Sequence, residues 1–136
     1  MTINPYLGFN GQCEAAFRFY EKVFGGKIVA MFTNGESPMA KDMPADQLSR
    51  IMHARLIFGD NVLMGGDAPP EYYTTPQGMM VSVNVDEPTE AERIYAALVE
   101  NGVAKMPIGE TFWALRFAML IDQFGTPWMI NCEKPM

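Results

Sequence analysis

This sequence predicts an α+β fold made of two βαβββ modules, and three observations predict it. The run Phe124-Gly125-Thr126-Pro127-Trp128-Met129-Ile130-Asn131-Cys132 reads as a tight turn entering a last apolar strand, and Phe58-Gly59-Asp60-Asn61-Val62-Leu63-Met64 has the same form. An offset of 76 lays Glu14-Ala15 on Glu90-Ala91, Phe19 on Tyr95, Val23 on Val99 and Gly26 on Gly102. Strand-helix-strand-strand-strand then reads twice along the chain, and self-similarity at a fixed spacing is the signature of a duplicated architecture.

Each element has its own warrant. Ile3 to Phe9 alternates as a strand and stops at Asn10-Gly11. From Gln12 to Phe24 the residues Ala15/Ala16, Phe19/Tyr20 and Val23 fall at helical spacing, and Gly25-Gly26 caps the C-terminus. Lys27 to Thr33 is a short strand. Asn34 to Gln47, with Gly35, Pro38 and Pro44, reads as a long loop, either a lid or binding loop or a disordered insertion. Arg50 to Phe58 and Asn61 to Gly65 are strands around the Gly59-Asp60 turn, and Asp67 to Gln77 is a proline-rich linker. The pattern restarts with a strand over Met79 to Val85, a helix over Pro88 to Asn101 closed by Gly102, and an edge strand over Val103 to Ile108 that contains Pro107. Strands over Thr111 to Ile121 and Pro127 to Cys132 complete it. The 136 residues therefore form a single domain, with module one at about 1–67, a linker at about 68–78 and module two at about 79–136.

Composition bounds the function. Hydrophobic residues make up 49% and charged residues 19%, a globular balance. The net charge of -6 argues against a nucleic-acid partner, which needs a basic face. No apolar run approaches the roughly 18 residues that span a bilayer, and no basic-then-apolar leader is visible, so no membrane partner is expected. Cys13 and Cys132 do not make a disulfide framework, which points to a cytoplasmic protein with buried thiols; a Cys13–Cys132 bridge is the alternative. Twelve methionines suit an adaptable apolar interior or pocket.

The chain resembles the PhnB-like branch of the vicinal-oxygen-chelate (glyoxalase/bleomycin-resistance) superfamily. The likeness is carried by Pro5-Tyr6-Leu7 with Phe9, Glu14-Ala15 with Phe19-Tyr20, Phe24-Gly25-Gly26, Met52-His53-Ala54, and Leu63-Met64 with Asp67. It continues through Glu110-Thr111-Phe112-Trp113, Arg116-Phe117 and Asp122-Gln123-Phe124-Gly125-Thr126-Pro127-Trp128. The resemblance implies curved sheets around a cleft and a homodimer, with modules paired or exchanged across its interface. Members of this branch are often labelled demethylubiquinone methyltransferase-like. Methyl transfer gains no support from the residues, because no glycine-rich nucleotide loop follows a first strand and no βαβαβ alternation is present.

The superfamily's enzymes hold a divalent metal with side chains from the first and last strands of each module. If Met79, Val81, Val83 and Val85 face the helix, then Met80, Ser82 and Asn84 face the concave side, with Asn4, Tyr6, Gly8, Leu63, Gly65, Met129 and Asn131. The resemblance thus puts the ligand positions at Asn4 (or Pro5), Leu63, Met80 and Met129, none of them a usual ligand for a hard divalent ion. The expectation is no metal and no cofactor. His53, the one histidine, suits proton transfer near neutrality but has no companion ligands in sequence, so it reads as pocket lining or as a structural residue.

An offset of 63 lays His53 on Arg116 and would put His53, Arg55 and Arg116 on the inward face. An arginine in a partly apolar pocket favours a carboxylate, phosphate or phosphonate; its alternatives are pairing with Glu110 or Asp122, or solvent. Trp113 is either a stacking wall for a flat ligand or packing, and Trp128 belongs to the core. The acidic start of the second helix is explained by its dipole. The expected ligand-binding set is Tyr6, His53, Arg55, Met80, Ser82, Trp113, Arg116, Met129 and Asn131, facing a small anionic or aromatic molecule. Two alternatives stand beside it: a metal-dependent lyase, dioxygenase or antibiotic-modifying enzyme using His53 with Glu110, and a structural or regulatory dimer without a ligand.

Overall fold

The computed structural model describes residues 1–135 and divides into two compact units, Met1–Thr74 and Thr75–Met136. The division falls inside the stretch expected to be a linker. The first unit runs β1 (Tyr6–Phe9), α1 (Cys13–Phe24), β2 (Lys27–Thr33), β3 (Ile51–Phe58) and β4 (Asn61–Asp67). The second runs β5 (Val81–Asn84), α2 (Pro88–Val99), β6 (Val103–Gly109), β7 (Ala114–Ile121) and β8 (Pro127–Glu133). Each is the expected βαβββ module. The sheets have matching orders, β1-β4-β3-β2 and β5-β8-β7-β6, each with one parallel pair at the first strand and antiparallel pairing elsewhere.

In each unit one sheet face is buried under the helix. Under α1 lie Phe9, Ala54, Leu56 and Leu63 with Phe17, Tyr20 and Val23; under α2 lie Ala118, Leu120, Trp128, Ile130 and Cys132 with Ala91, Ile94 and Leu98. Apolar area removed from water on this side is the main stabilising term. The Gly26–Gly102 match has a steric reason. A Cβ on Gly26 would lie 2.7 Å from the Ile57 carbonyl oxygen, and one on Gly102 would collide with the Ile121 carbonyl oxygen. Both helices return to the sheet through a backbone approach that only glycine allows.

Several expectations shift. Both helices are twelve residues long and align at an offset of 75, so Ala91 is buried while Ala15 is exposed. The two Phe-Gly turns are not equivalent. Phe58 ends β3 and pairs with Asn61 across a two-residue turn, whereas Phe124 lies in the longer turn between Ile121 and Pro127. The first and fifth strands start late, at Tyr6 and Val81, which leaves Asn4 and Met80 outside them. The 34–47 stretch is ordered as three short 3-10 turns, the first closed by Thr33 and Glu36 as a capping box. β6 is the edge strand expected from Pro107, with register shifts on both sides of Met106.

Candidate functional site

Cross-strand partners share a sheet face, so the register sorts every candidate. In the first unit Leu56 pairs with Leu63 on the helix side, and the neighbouring rows point away from α1. On that outward face Arg55 pairs with Met64 and with Ala30, Tyr6 pairs with Met64, and His53 pairs with Phe32. Tyr6, His53 and Arg55 therefore come together as expected. Leu63 does not: it is 2% exposed and faces α1, because the strand parity runs one residue later than expected, and Met64 takes the outward place.

The outward face of the first unit is an aromatic row with a cation beside it. The His53 ring is 5.9 Å from that of Tyr6, stacked at 30°, and 5.8 Å from that of Phe32. The Tyr6 hydroxyl donates to the Met52 carbonyl at 3.4 Å, in space that a side chain on Gly66 would fill. Desolvation, and then the neighbouring Cys13 thiol, push the Tyr6 phenol above its ordinary pKa. Arg55 is half-buried and, among the described residues, makes no hydrogen bond or ion pair. Alternation along β2 does not single out Phe32, because register shifts on either side of it break the pattern.

In the second unit the outward face carries two rows across the sheet. One is Met106, Met119, Met129 and Ser82; the next is Gly109, Phe117, Asn131 and Asn84. Ser82, Met129 and Asn131 stand where expected. Met80 is 43% exposed but precedes the strand, so no register assigns it to a face. Trp113 packs edge-on to Phe117 at 5.1 Å and to Phe112 at 4.9 Å.

Arg116 is a correction. It pairs with Cys132, on the helix side, and its Nε donates to Glu92 of α2 at 2.8 Å while Nη1 donates to the Leu115 carbonyl. The equivalence of β3 with β7 is an offset of 64, Leu56 onto Leu120, which matches Arg55 with Met119 and His53 with Phe117. The assumed offset of 63 had turned Arg116 outward. Its partner is neither Glu110, which pairs with Lys134 at 2.9 Å and is held below its ordinary pKa by that lysine, nor Asp122.

The conspicuous carboxylates are used structurally. Asp67 accepts from the backbone N–H groups of Gly11, Cys13 and Ile51 at 2.8, 3.1 and 2.8 Å, so it supplies the cap that Gln12 does not give α1. Asp122, 3% exposed, accepts from the backbone of Phe124 and Thr126 and from the Trp128 indole. Both cysteines are free and buried, and burial, Asp67 and Glu14 push the Cys13 thiol far above its usual range, which removes nucleophilic character.

On the outward faces the first and last strands of each unit bring together Tyr6 with Met64 and Ser82 with Met129. A phenol, a hydroxyl and two thioethers do not fit a hard divalent ion. Among the described residues no three His, Cys, Asp or Glu side chains come together in a metal-binding group.

Comparison with known proteins places these features. The family model described as 3-demethylubiquinone-9 3-methyltransferase matches residues 1–131. Protein YjdN of Escherichia coli (strain K12) is 30% identical over 142 residues, 98% of this chain and 97% of that protein. The crystal structure of protein PA1353 from Pseudomonas aeruginosa is 47% identical with a TM-score of 0.91, covering 99% of both chains. A PhnB protein from Bacillus cereus, described as a putative 3-demethylubiquinone-9 3-methyltransferase, is 23% identical with a TM-score of 0.80, over 97% of this chain and 99% of that one. The fosfomycin resistance protein FosX from Listeria monocytogenes shares the fold at 8% identity, with a TM-score of 0.64 over 98% of this chain and 94% of that one. No helix among the described residues is long and apolar enough to cross a membrane.

Proposed function

The chain belongs to the 3-demethylubiquinone-9 3-methyltransferase family, in its PhnB-like branch, and from that premise we propose that it binds a small aromatic anion on the outward face of the first sheet, without a bound metal. One observation carries this reading. Arg55 is half-buried with no acceptor among the described residues, next to the Tyr6–His53–Phe32 ring row. A half-buried guanidinium gains most from a bidentate carboxylate, phosphate or phosphonate, and the rings offer stacking area to a flat body. Proteins sharing this fold at low identity include fosfomycin resistance proteins, which supports small-molecule work on this frame without naming this chain's ligand. Methyl transfer has less support, since neither sheet has the doubly wound parallel order of nucleotide-binding folds. A homodimer belongs to the same reading: side chains as large as Phe112 and Tyr72 are 89% and 76% exposed in the single chain. Sedimentation equilibrium checks it, and a monomer at micromolar concentration would remove it.

The test of binding is a thermal-shift screen of aromatic carboxylates and phosphonates against protein purified without chelator. A true ligand at 100 times its Kd adds about 2.7 kcal/mol of stability. Metal analysis of the same sample should find less than one divalent ion per chain. A stoichiometric, tightly held ion would replace this reading with a metal-dependent one.

A further inference from the structure

The second sheet carries a polar ladder that neither the core nor the first face explains. The Asn84 amide donates to the Ser82 hydroxyl at 3.3 Å, and the Asn131 amide donates to the Asn84 carbonyl oxygen at 3.3 Å and to the Glu133 carboxylate at 3.5 Å. These acceptors fix which way the Asn131 side chain is turned: its NH2 faces Asn84 and Glu133, and its Oδ1 takes the other side. Asn131 is only 9% exposed, and Oδ1 is buried with no partner among the described residues. Buried acceptors are almost always satisfied, and one left without a donor keeps the full desolvation penalty of that group.

The surroundings define the missing donor. Phe117 is the cross-strand partner of Asn131, and Trp113 packs on Phe117, so two aromatic rings lie on this side. Glu133 adds a carboxylate two residues along the same strand, and Met119 and Met129 form an apolar floor in the neighbouring row. Of the cations near this strand in sequence or register, Lys134 is paired with Glu110 at 2.9 Å and Arg116 is turned to the opposite face onto Glu92. An acceptor, a carboxylate and ring faces together favour a cation that also donates hydrogen bonds. The geometry points to a second ligand site on the outward face of the β5-β8-β7-β6 sheet, for an organic ammonium with an apolar body, whose N–H is accepted by Asn131 Oδ1. Reaching that oxygen requires a side chain to swing aside, and Trp113, 41% exposed against 7% for Phe117, is the less enclosed of the two rings.

The test uses the full chain, with benzylammonium as probe and benzyltrimethylammonium, which has the charge but no N–H, as control. Benzylammonium should saturably shift the side-chain amide resonances of Asn131 and the indole resonance of Trp113, and the quaternary analogue should bind at least tenfold more weakly. Asn131→Leu should lose the binding while melting no lower than the parent. Glu133→Gln, at an exposed position, removes the carboxylate's charge while leaving Asn131 Oδ1 in place and should weaken benzylammonium binding several-fold, so the result does not depend on the folding of one variant. Equal binding of the two probes, undiminished binding by Asn131→Leu, or resonances that move on dilution and not on ligand addition would each overturn the proposal. The last result would make the face a self-association surface.

Discussion

The two modules agree on one side and differ on the other. Both place a twelve-residue helix on a sheet of the same order, and both return from that helix through a glycine pressed against the closing carbonyl of the third strand. On the faces away from the helices the equivalent positions diverge: Tyr6 against Ser82, His53 against Phe117, Arg55 against Met119, while Met64 against Met129 keeps its type. Packing tightly constrains the side under the helix, since lost volume or overpacking is felt directly. The outward face is packed less completely, Phe117 and Asn131 apart, so function can diverge there. The first module became aromatic and cationic, the second thioether and amide.

The largest expected effect separates the structural carboxylates. Asp122→Ala strands three donors, one of them a buried indole, and should destabilise the chain by about 3–5 kcal/mol in urea unfolding. Asp67→Ala removes the acceptor of three backbone N–H groups at a half-buried site and should lose about 2–3 kcal/mol. A reversed order would mean that the α1 anchor, not the closing turn, is the more demanding element. Next come Gly26→Ala and Gly102→Ala, each expected to destabilise by about 1–3 kcal/mol, with Gly102→Ala the worse because its approach is closer. If one is neutral, the shared backbone contact is not what the repeat preserves.

A smaller effect is chemical. Cys13 and Cys132 are both buried, and the Cys13 thiol is held protonated above its ordinary pKa. A thiol reagent at pH 8 should find no reactive group in the folded chain and two per chain in denaturant. The sign for stability follows. A raised folded pKa means that the contribution of Cys13 is complete below the ordinary thiol range and is lost as pH rises through and beyond it, so unfolding should become easier in alkali. Rapid labelling of Cys13 at pH 8 without unfolding would contradict its placement.

Much of this was legible in sequence because duplication exposes itself twice. Element order, the Gly25 cap of α1 and the proline-bearing edge strand all rest on local signals, and those signals held, whereas α2 stops at Val99, two residues short of Asn101. The faces were legible only where alternation was unbroken: Ser82, Met129 and Asn131 were placed correctly from the valines of β5. They were lost wherever one residue is inserted. The longer turn closed by Asp122 sets Phe124 at 66 from Phe58 although the strands before the two turns match at 64, and reading those strands at 63 turned Arg116 outward when it belongs with Glu92. A single-residue slip exchanges the faces of a whole strand, and no composition signal reveals it.

The central claim is that the first module's outward face, and not Arg116, holds the anion. Titration calorimetry with phenylphosphonate on the parent, Arg55→Ala and Arg116→Ala tests it directly. Arg55→Ala should weaken binding at least tenfold with little change in stability. Arg116→Ala should bind as the parent does and lose at most about 1 kcal/mol of stability, since its pair with Glu92 is part-exposed. Binding that survives Arg55→Ala but disappears in Arg116→Ala would contradict the account.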